Sequence, residues 1–287
     1  MAGWKQILHG IRQGISSGLF PDICFCCNEF IERAKYAGED ESPAAESKLV
    51  NETAERIFAG IMAPCLCSEC IDGYLPVTPP FCTRCGEQFI SRSIENHLCG
   101  QCIAADIPAK KRFVSARACG QYSGTLQKLI HTYKYHGKTG LGRPLGALLH
   151  IHLLKHYDNG SIDLIIPVPL HRQKLVKRGF DQVMGMLCNW PWSAQGRDKL
   201  LENGMVLCED ILIRVKNTDT QTGLDRKQRG ENVKNAFTVT DKARIRNKRI
   251  LLIDDVYTTG ATLEECSSAL YRAGASQVCF LTLARAM

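Results

Sequence analysis

Aromatic residues are scarce in this 287-residue chain, at 7%, and long apolar runs are missing altogether. No apolar stretch reaches the roughly 18 residues that a membrane-crossing helix needs, so no transmembrane helix is expected. No basic stretch followed by an apolar block of roughly 7–15 residues opens the chain, so a secretory signal is not expected. No Gly-x-Gly-x-x-Gly follows a strand pattern. Gly137-Lys138-Thr139 has the ending of a nucleotide-binding P-loop, but Thr132 stands where the first glycine is required, so ATP hydrolysis is unsupported. With 45% hydrophobic and 23% charged residues, the chain can build a core, which rules out disordered and collagen-like classes.

Acidic residues are in deficit over the last two-thirds. Residues 1–110 hold 9 Lys and Arg against 14 Asp and Glu, a net of −5, leaving 27 against 15, a net of +12, for residues 111–287. A basic half of this size suits an anionic partner, either a phosphorylated small molecule or nucleic acid.

Cysteine is abundant and uneven. Ten of the 15 lie between Cys24 and Cys102, whereas Cys119, Cys188, Cys208, Cys266 and Cys279 are scattered. Cys266 and Cys279 sit in apolar patterns and are expected to be small buried hydrophobes. The clearest spacing is Cys82-Thr-Arg-Cys85-Gly86, then Cys99-Gly-Gln-Cys102. Two residues between paired cysteines let a tight turn aim both sulfurs at one metal. Gly86 suits such a turn because it accepts a positive φ. Four thiolates make a closed tetrahedral zinc site with no open position for chemistry. A disulfide framework fits short secreted chains better than this one. The pairs Cys24/Cys27 and Cys67/Cys70 predict a second zinc site, with Cys26 and Cys65 surplus or exchangeable. Spacing also allows the pairs to interleave, Cys24/Cys27 sharing a metal with Cys82/Cys85. Val50, Ala54, Ile57, Phe58 and Ile61 repeat at helical spacing between the first two pairs. Trp4, Ile7, Leu8, Ile11 and Ile15 mark another helical face near the start. The polar, basic, Pro-containing stretch 107–112 is the expected hinge, dividing an N-terminal module (1–106) from an α/β domain (113–287).

The end of the chain carries the most chemistry. Arg249-Ile-Leu-Leu-Ile253 reads as a buried strand, closed by Asp254-Asp255. Val256-Tyr-Thr-Thr-Gly-Ala-Thr262 follows. Leu263, Cys266, Leu270 and Ala273 then fall at helical spacing, Gly274 stops the helix, and Val278–Leu283 reads as a further strand. A hydroxyl-bearing loop of Thr258, Thr259, Gly260, Ala261 and Thr262 that opens a helix offers backbone N–H groups, helix-dipole charge and hydroxyl donors to a phosphate. Two adjacent carboxylates beside it accept hydrogen bonds from a vicinal diol, or hold Mg²⁺ through water. Phosphate and diol a few ångströms apart describe a ribose 5-phosphate. Upstream, Leu164-Ile-Ile-Pro-Val-Pro is a strand that prolines end, followed by His171, Arg172, Lys174, Lys177 and Arg178 at the sheet's ligand-binding end. Arg178-Gly179 offers a planar donor fork and close backbone approach to a pyrophosphate.

Ile250-Leu-Leu-Ile-Asp-Asp-Val-Tyr-Thr-Thr-Gly-Ala-Thr262 resembles the phosphoribosyl pyrophosphate (PRPP) signature of type I phosphoribosyltransferases. The wider chain, over nearly all of residues 20–287, resembles the ComF/GntX family, which joins an N-terminal cysteine zinc module to such a domain. Three further segments carry the likeness: Ile166–Leu170 with Lys177–Gln182; Arg214, Thr218, Gln221, Leu224, Arg229, Asn232, Val233, Ala236 and Phe237; and Tyr133-Lys134-Tyr135. Asp181 departs from the pattern, standing where the family usually has Asn, and the Cys27–Cys67 interval is unusually long.

The resemblance implies a Rossmann-like type I phosphoribosyltransferase fold with a parallel sheet, plus a small zinc-ribbon-like Cys-rich domain. It implies that Asp254, Asp255, Thr258–Thr262, Arg178, Gly179 and Lys134 bind PRPP with Mg²⁺. Residues 214–235 would form a mobile hood, and Asp254, Asp255 and Arg178 would serve the displacement of pyrophosphate from ribose C1′ by a nitrogen nucleophile. It also implies participation in DNA uptake and natural transformation, with single-stranded DNA and a helicase-type partner. A non-catalytic single-stranded-DNA-binding or scaffold protein on the same fold is the rival expectation. Zinc thiolates and unpaired cysteines fit a reducing compartment, so a cytoplasmic location is expected.

Overall fold

The computed structural model describes residues 22–31, 50–89, 95–104, 113–158, 160–191, 199–201, 204–216 and 231–287. The helical face around Trp4, the expected hinge at 107–112 and most of the expected hood fall outside them.

The N-terminal module contributes three short helices: α1 (Ala54–Met62), α2 (Ser68–Asp72) and α3 (Gly100–Ala104). The Thr53 hydroxyl caps α1 by accepting from the Arg56 N–H; Ile57 and Phe58 are buried as the periodicity predicts, Met62 rather than Ile61 completes the buried stripe, and Val50 lies ahead of the helix. The α/β domain then runs β1 (Ala116–Gln121), α4 (Gly124–Tyr135), α5 (Gly142–His156), β2 (Leu164–Pro167), α6 (Arg172–Arg178), α7 (Gln182–Leu187), β3 (Lys199–Leu200), β4 (Val206–Leu207), β5 (Leu212–Arg214), β6 (Phe237–Val239), β7 (Arg249–Tyr257), α8 (Ala261–Arg272) and β8 (Gln277–Arg285).

Six strands form one sheet in the order β1-β8-β7-β2-β4-β3. All neighbours are parallel except the short edge pair β3/β4. The two central strands are covered on both faces, which is why their sequences are almost continuously apolar. Alternate residues go to opposite layers: Leu251, Ile253, Cys279 and Leu281 join the core under α4, α5 and α7, whereas Ile250, Leu252, Val278 and Phe280 join the core under α8. Cys266 and Cys279 are buried, as expected.

One boundary differs from the sequence expectation. Asp254 and Asp255 do not close β7; the strand continues to Tyr257 because β8 goes on pairing with it, Asp254 opposite Thr282 and Tyr257 opposite Arg285. On its other side β2 stops, its last pair being Pro167 opposite Ile253. Past that point β7 has a neighbour on one side only, and a cleft opens at the carboxyl end of the sheet. The segment expected as a hood leaves from β5 and returns into β6, which pair antiparallel with Arg214 opposite Phe237. Val233 and Ala236, at its return, are buried in the core beneath α8.

The N-terminal module does not hang free. Ile57, Phe58, Met62, Leu66 and Tyr74 share one core with α4 and α5. Phe58 stacks on Tyr74 with centroids 4.0 Å apart, the Tyr74 hydroxyl donates to the Cys119 carbonyl, and the Thr125 hydroxyl donates to the Cys70 carbonyl at 2.6 Å.

Candidate functional site

Two sets of four cysteines converge, Cys24/Cys27/Cys67/Cys70 and Cys82/Cys85/Cys99/Cys102, the sulfurs of each set lying within 4.8 Å of one another. The pairs therefore do not interleave, and Cys26 and Cys65 stand outside both sets. None of the 15 cysteines is in a disulfide. The two sets are built alike. In each, a turn brings the first pair together: the N–H of Cys24 donates to Glu29 O and that of Cys82 to Glu87 O, at 2.8 and 2.7 Å. The residue after the second cysteine is left-handed in both, Asn28 at φ 64° and Gly86 at φ 72°. A Cβ on Gly86 would also stand 2.7 Å from the Ala116 carbonyl, so side-chain-bearing residues are excluded there. The second pair of each set straddles the start of a short helix, α2 or α3.

Four thiolates about 2.3 Å from a tetrahedral Zn²⁺ lie about 3.8 Å from each other. Cys27 and Cys67 sulfurs are 3.6 Å apart, and those of Cys85 and Cys99 are 3.8 Å apart. Burial would push the Cys82 thiol up, but N–H donation from Cys99 and Cys85 prevails and brings it down to about 7. Donor type and spacing thus fit a structural zinc in each set.

The cleft at the end of β7 has a volume of about 990 Å³. Its wall is built chiefly from the end of α4 with Lys134 and Tyr135; Val168-Pro169-Leu170 after β2; Lys174, Lys177 and Arg178 of α6 with its cap Gly179; Asp254 to Tyr257 of β7; and Thr258, Gly260, Ala261 and Thr262 at the start of α8. Of the residues expected to bind PRPP, only Thr259 is not part of its lining. Residues 258–260 form the turn and α8 begins at Ala261, so the N-terminus of that helix faces the cleft, and its first backbone bond runs from the Glu264 N–H to the Gly260 carbonyl at 2.8 Å. Gly260 has φ 80°, and a Cβ there would stand 2.7 Å from the Tyr257 hydroxyl, so the turn requires glycine twice over.

The carboxylates are held differently. Asp255 is buried and pairs with Lys134, Nζ to Oδ2 at 2.7 Å. Burial would favour the neutral amine, but Asp255 prevails and holds the Lys134 ammonium above its ordinary range. Asp254 is only half-buried, and its Oδ1 accepts the Asp255 N–H at 2.8 Å. Removal from bulk water, then the neighbouring Asp255 charge, push its carboxyl up to about 8 against the pull of Lys134. Arg178 donates from Nη1 to Gln182 Oε1 and lies over the Tyr135 ring, 5.4 Å from its centroid.

Asp181 caps α7, accepting from the N–H groups of Val183 and Met184 at 2.9 and 3.0 Å. An Asn oxygen caps equally well, and Asp181 is not part of the cleft's lining. Arg214, at the end of β5, also reaches the cleft, as do Tyr122, Gln127 and Thr139. Nothing local in the sequence singles out the last three; their place depends on how β1 and α4 pack.

Residues 200–287, which carry the central strands β7 and β8 and the turn between β7 and α8, match the family model described as phosphoribosyl transferase domain. "Competence protein F" of Haemophilus influenzae is 31% identical over 211 residues, 72% of this chain and 85% of that protein. "DNA utilization protein YhgH" of Escherichia coli K12 is 28% identical over 72% of this chain and 84% of its own. "Competence protein ComFC" of Streptococcus pneumoniae is 27% identical, over 77% and 88%. The chain belongs to the ComF family.

Proposed function

We propose that the cleft binds PRPP with Mg²⁺ and that the protein acts in DNA uptake, the process its relatives' names point to. The observation that carries the ligand is the joint placement of Asp254 and Asp255 just ahead of the Thr258–Thr262 turn, with Lys134 and Arg178 lining the same cleft. In this reading the turn takes the 5-phosphate, Asp254 and Asp255 take the ribose hydroxyls, and Arg178, Gly179 and Lys134 take the pyrophosphate. Mg²⁺ arriving with the pyrophosphate supplies positive charge to the leaving group. The donor set suits it, since both carboxylates line the cleft with the basic groups. Transfer to a nitrogen nucleophile is the reaction such a site would run, with Asp254 and Asp255 facing the positive charge that develops on the ribose.

Calorimetry with PRPP and Mg²⁺, followed by pyrophosphate-release assays across nucleobases, tests this. Binding that the paired change Asp254→Asn and Asp255→Asn abolishes is the expected result. Failure of the wild type to bind PRPP, together with steeply salt-dependent binding of single-stranded DNA, favours the non-catalytic DNA-binding reading. Location in the cytoplasm belongs to the same proposal; no described helix is long and apolar enough to cross a membrane.

A further inference from the structure

The second cysteine set and the turn at the start of α8 are joined by one side chain. Arg285, the last residue of β8, is only 8% exposed. Its Nη2 lies 3.7 Å from the Cys85 sulfur, and its guanidinium lies over the Tyr257 ring, 4.2 Å from the centroid. Tyr257 and Arg285 are also partners across the β7/β8 pairing. Tyr257 in turn is the wall against which left-handed Gly260 packs.

A buried guanidinium needs an anion. No carboxylate lies within ion-pair distance of Arg285 among the described residues, and its Nε and Nη1 have no hydrogen-bond partner there. A zinc bound by four thiolates carries a formal charge of about −2. Arg285 is therefore placed as the counter-cation of that centre, and its other face backs the tyrosine that shapes the turn.

We infer that Arg285 couples the Cys82/Cys85/Cys99/Cys102 centre to the Thr258–Thr262 turn, so that the zinc-loaded state of the centre orders the turn and strengthens sugar-phosphate binding. The affinity half rests on the proposed PRPP reading; the ordering half does not. Without the metal, Arg285 loses its anionic partner and its reason to stay buried against Tyr257, and the Gly260 turn loses its backing. Arg285 is a positioning residue, since it does not line the cleft.

The test compares wild type, Arg285→Met and Arg117→Met as zinc-loaded full chains. Amide hydrogen exchange is followed over residues 258–263, and ribose 5-phosphate and PRPP–Mg²⁺ binding by calorimetry. Arg117 is the control, because it ties the same module through Thr83 O at 3.0 Å. It leaves the Arg285–Tyr257 contact alone. Arg285→Met is expected to speed exchange in the turn and weaken binding, each about tenfold, the scale of a site-to-site coupling. Zinc content and Arg117→Met are expected to stay at wild-type values. By reciprocity, ribose 5-phosphate should raise the zinc affinity of the wild-type protein, read by equilibrium competition with a chelator, a measurement that needs no variant to fold. Unchanged exchange in Arg285→Met, or equal loosening by Arg117→Met, overturns the inference. If the wild type binds neither ligand while Arg285→Met still loosens the turn, the PRPP reading fails and the coupling stands.

Discussion

Lys134, in the last turn of α4, and Asp255, near the end of β7, form a buried ion pair at 2.7 Å on the wall of the cleft. The pair joins a helix to the central strand, and it gives one of the two adjacent carboxylates a fixed counter-charge while leaving the other partly open. Truncating one partner of such a pair strands a buried charge. Lys134→Met should destabilise the protein by about 3 kcal/mol, and adding Asp255→Asn should recover most of that. Urea denaturation of the two variants decides the matter; a single variant as stable as wild type would show the pair to be energetically idle.

Asp254 should make stability fall as pH rises. Its folded pKa, about 8, lies above the ordinary 3.8, so the folded state holds the proton more tightly than the unfolded state. The stability it contributes is complete below the ordinary value and is lost as pH climbs through the folded one. Asp254→Asn, permanently neutral, should gain steadily on wild type as pH rises from 5 to 8, by on the order of a few kcal/mol. Thermal melts of both proteins across that range give the result, and a constant difference between them would contradict it.

Gly260→Ala should damage the turn directly. It forces a side chain into φ 80° and toward the Tyr257 hydroxyl. A loss of about 1–3 kcal/mol is expected, with PRPP affinity falling further than stability alone explains. Calorimetry beside a melting curve separates the two effects.

The cysteine sets predict zinc stoichiometry. Cys26→Ser and Cys65→Ser should keep two zinc ions per chain, because neither residue belongs to a set. Cys27→Ser should lose one, with the largest consequence for the core that α1 shares with α5. Elemental analysis of purified protein checks this, and a zinc lost from Cys65→Ser would redraw the first set.

Much of this was readable along the chain. The Cys-x-x-Cys spacing named the eight cysteines that converge because a two-residue gap is a local turn, and a turn is decided by its own residues. The run Ile250–Thr262 named the carboxylates and the hydroxyl-bearing turn that line the cleft for the same reason. Where reading failed, the cause was a neighbour. β7 was expected to end at Ile253, yet the pairing that carries it to Tyr257 belongs to β8. The short-range pattern likewise left open whether the four cysteine pairs interleave, and long-range packing of α1 and α2 resolved it.

By itself, then, the amino-acid order determined the cysteine pairs able to hold a metal and the chemistry available at the end of the central strand, both of which depend on neighbours a few positions apart. Tertiary structure alone decided that Lys134 meets Asp255 across 121 positions and that Arg285 reaches Cys85 across 200. Such contacts arise from how helices and strands stack about a shared core, and no pattern of local spacing encodes the distance between side chains so far apart in the chain.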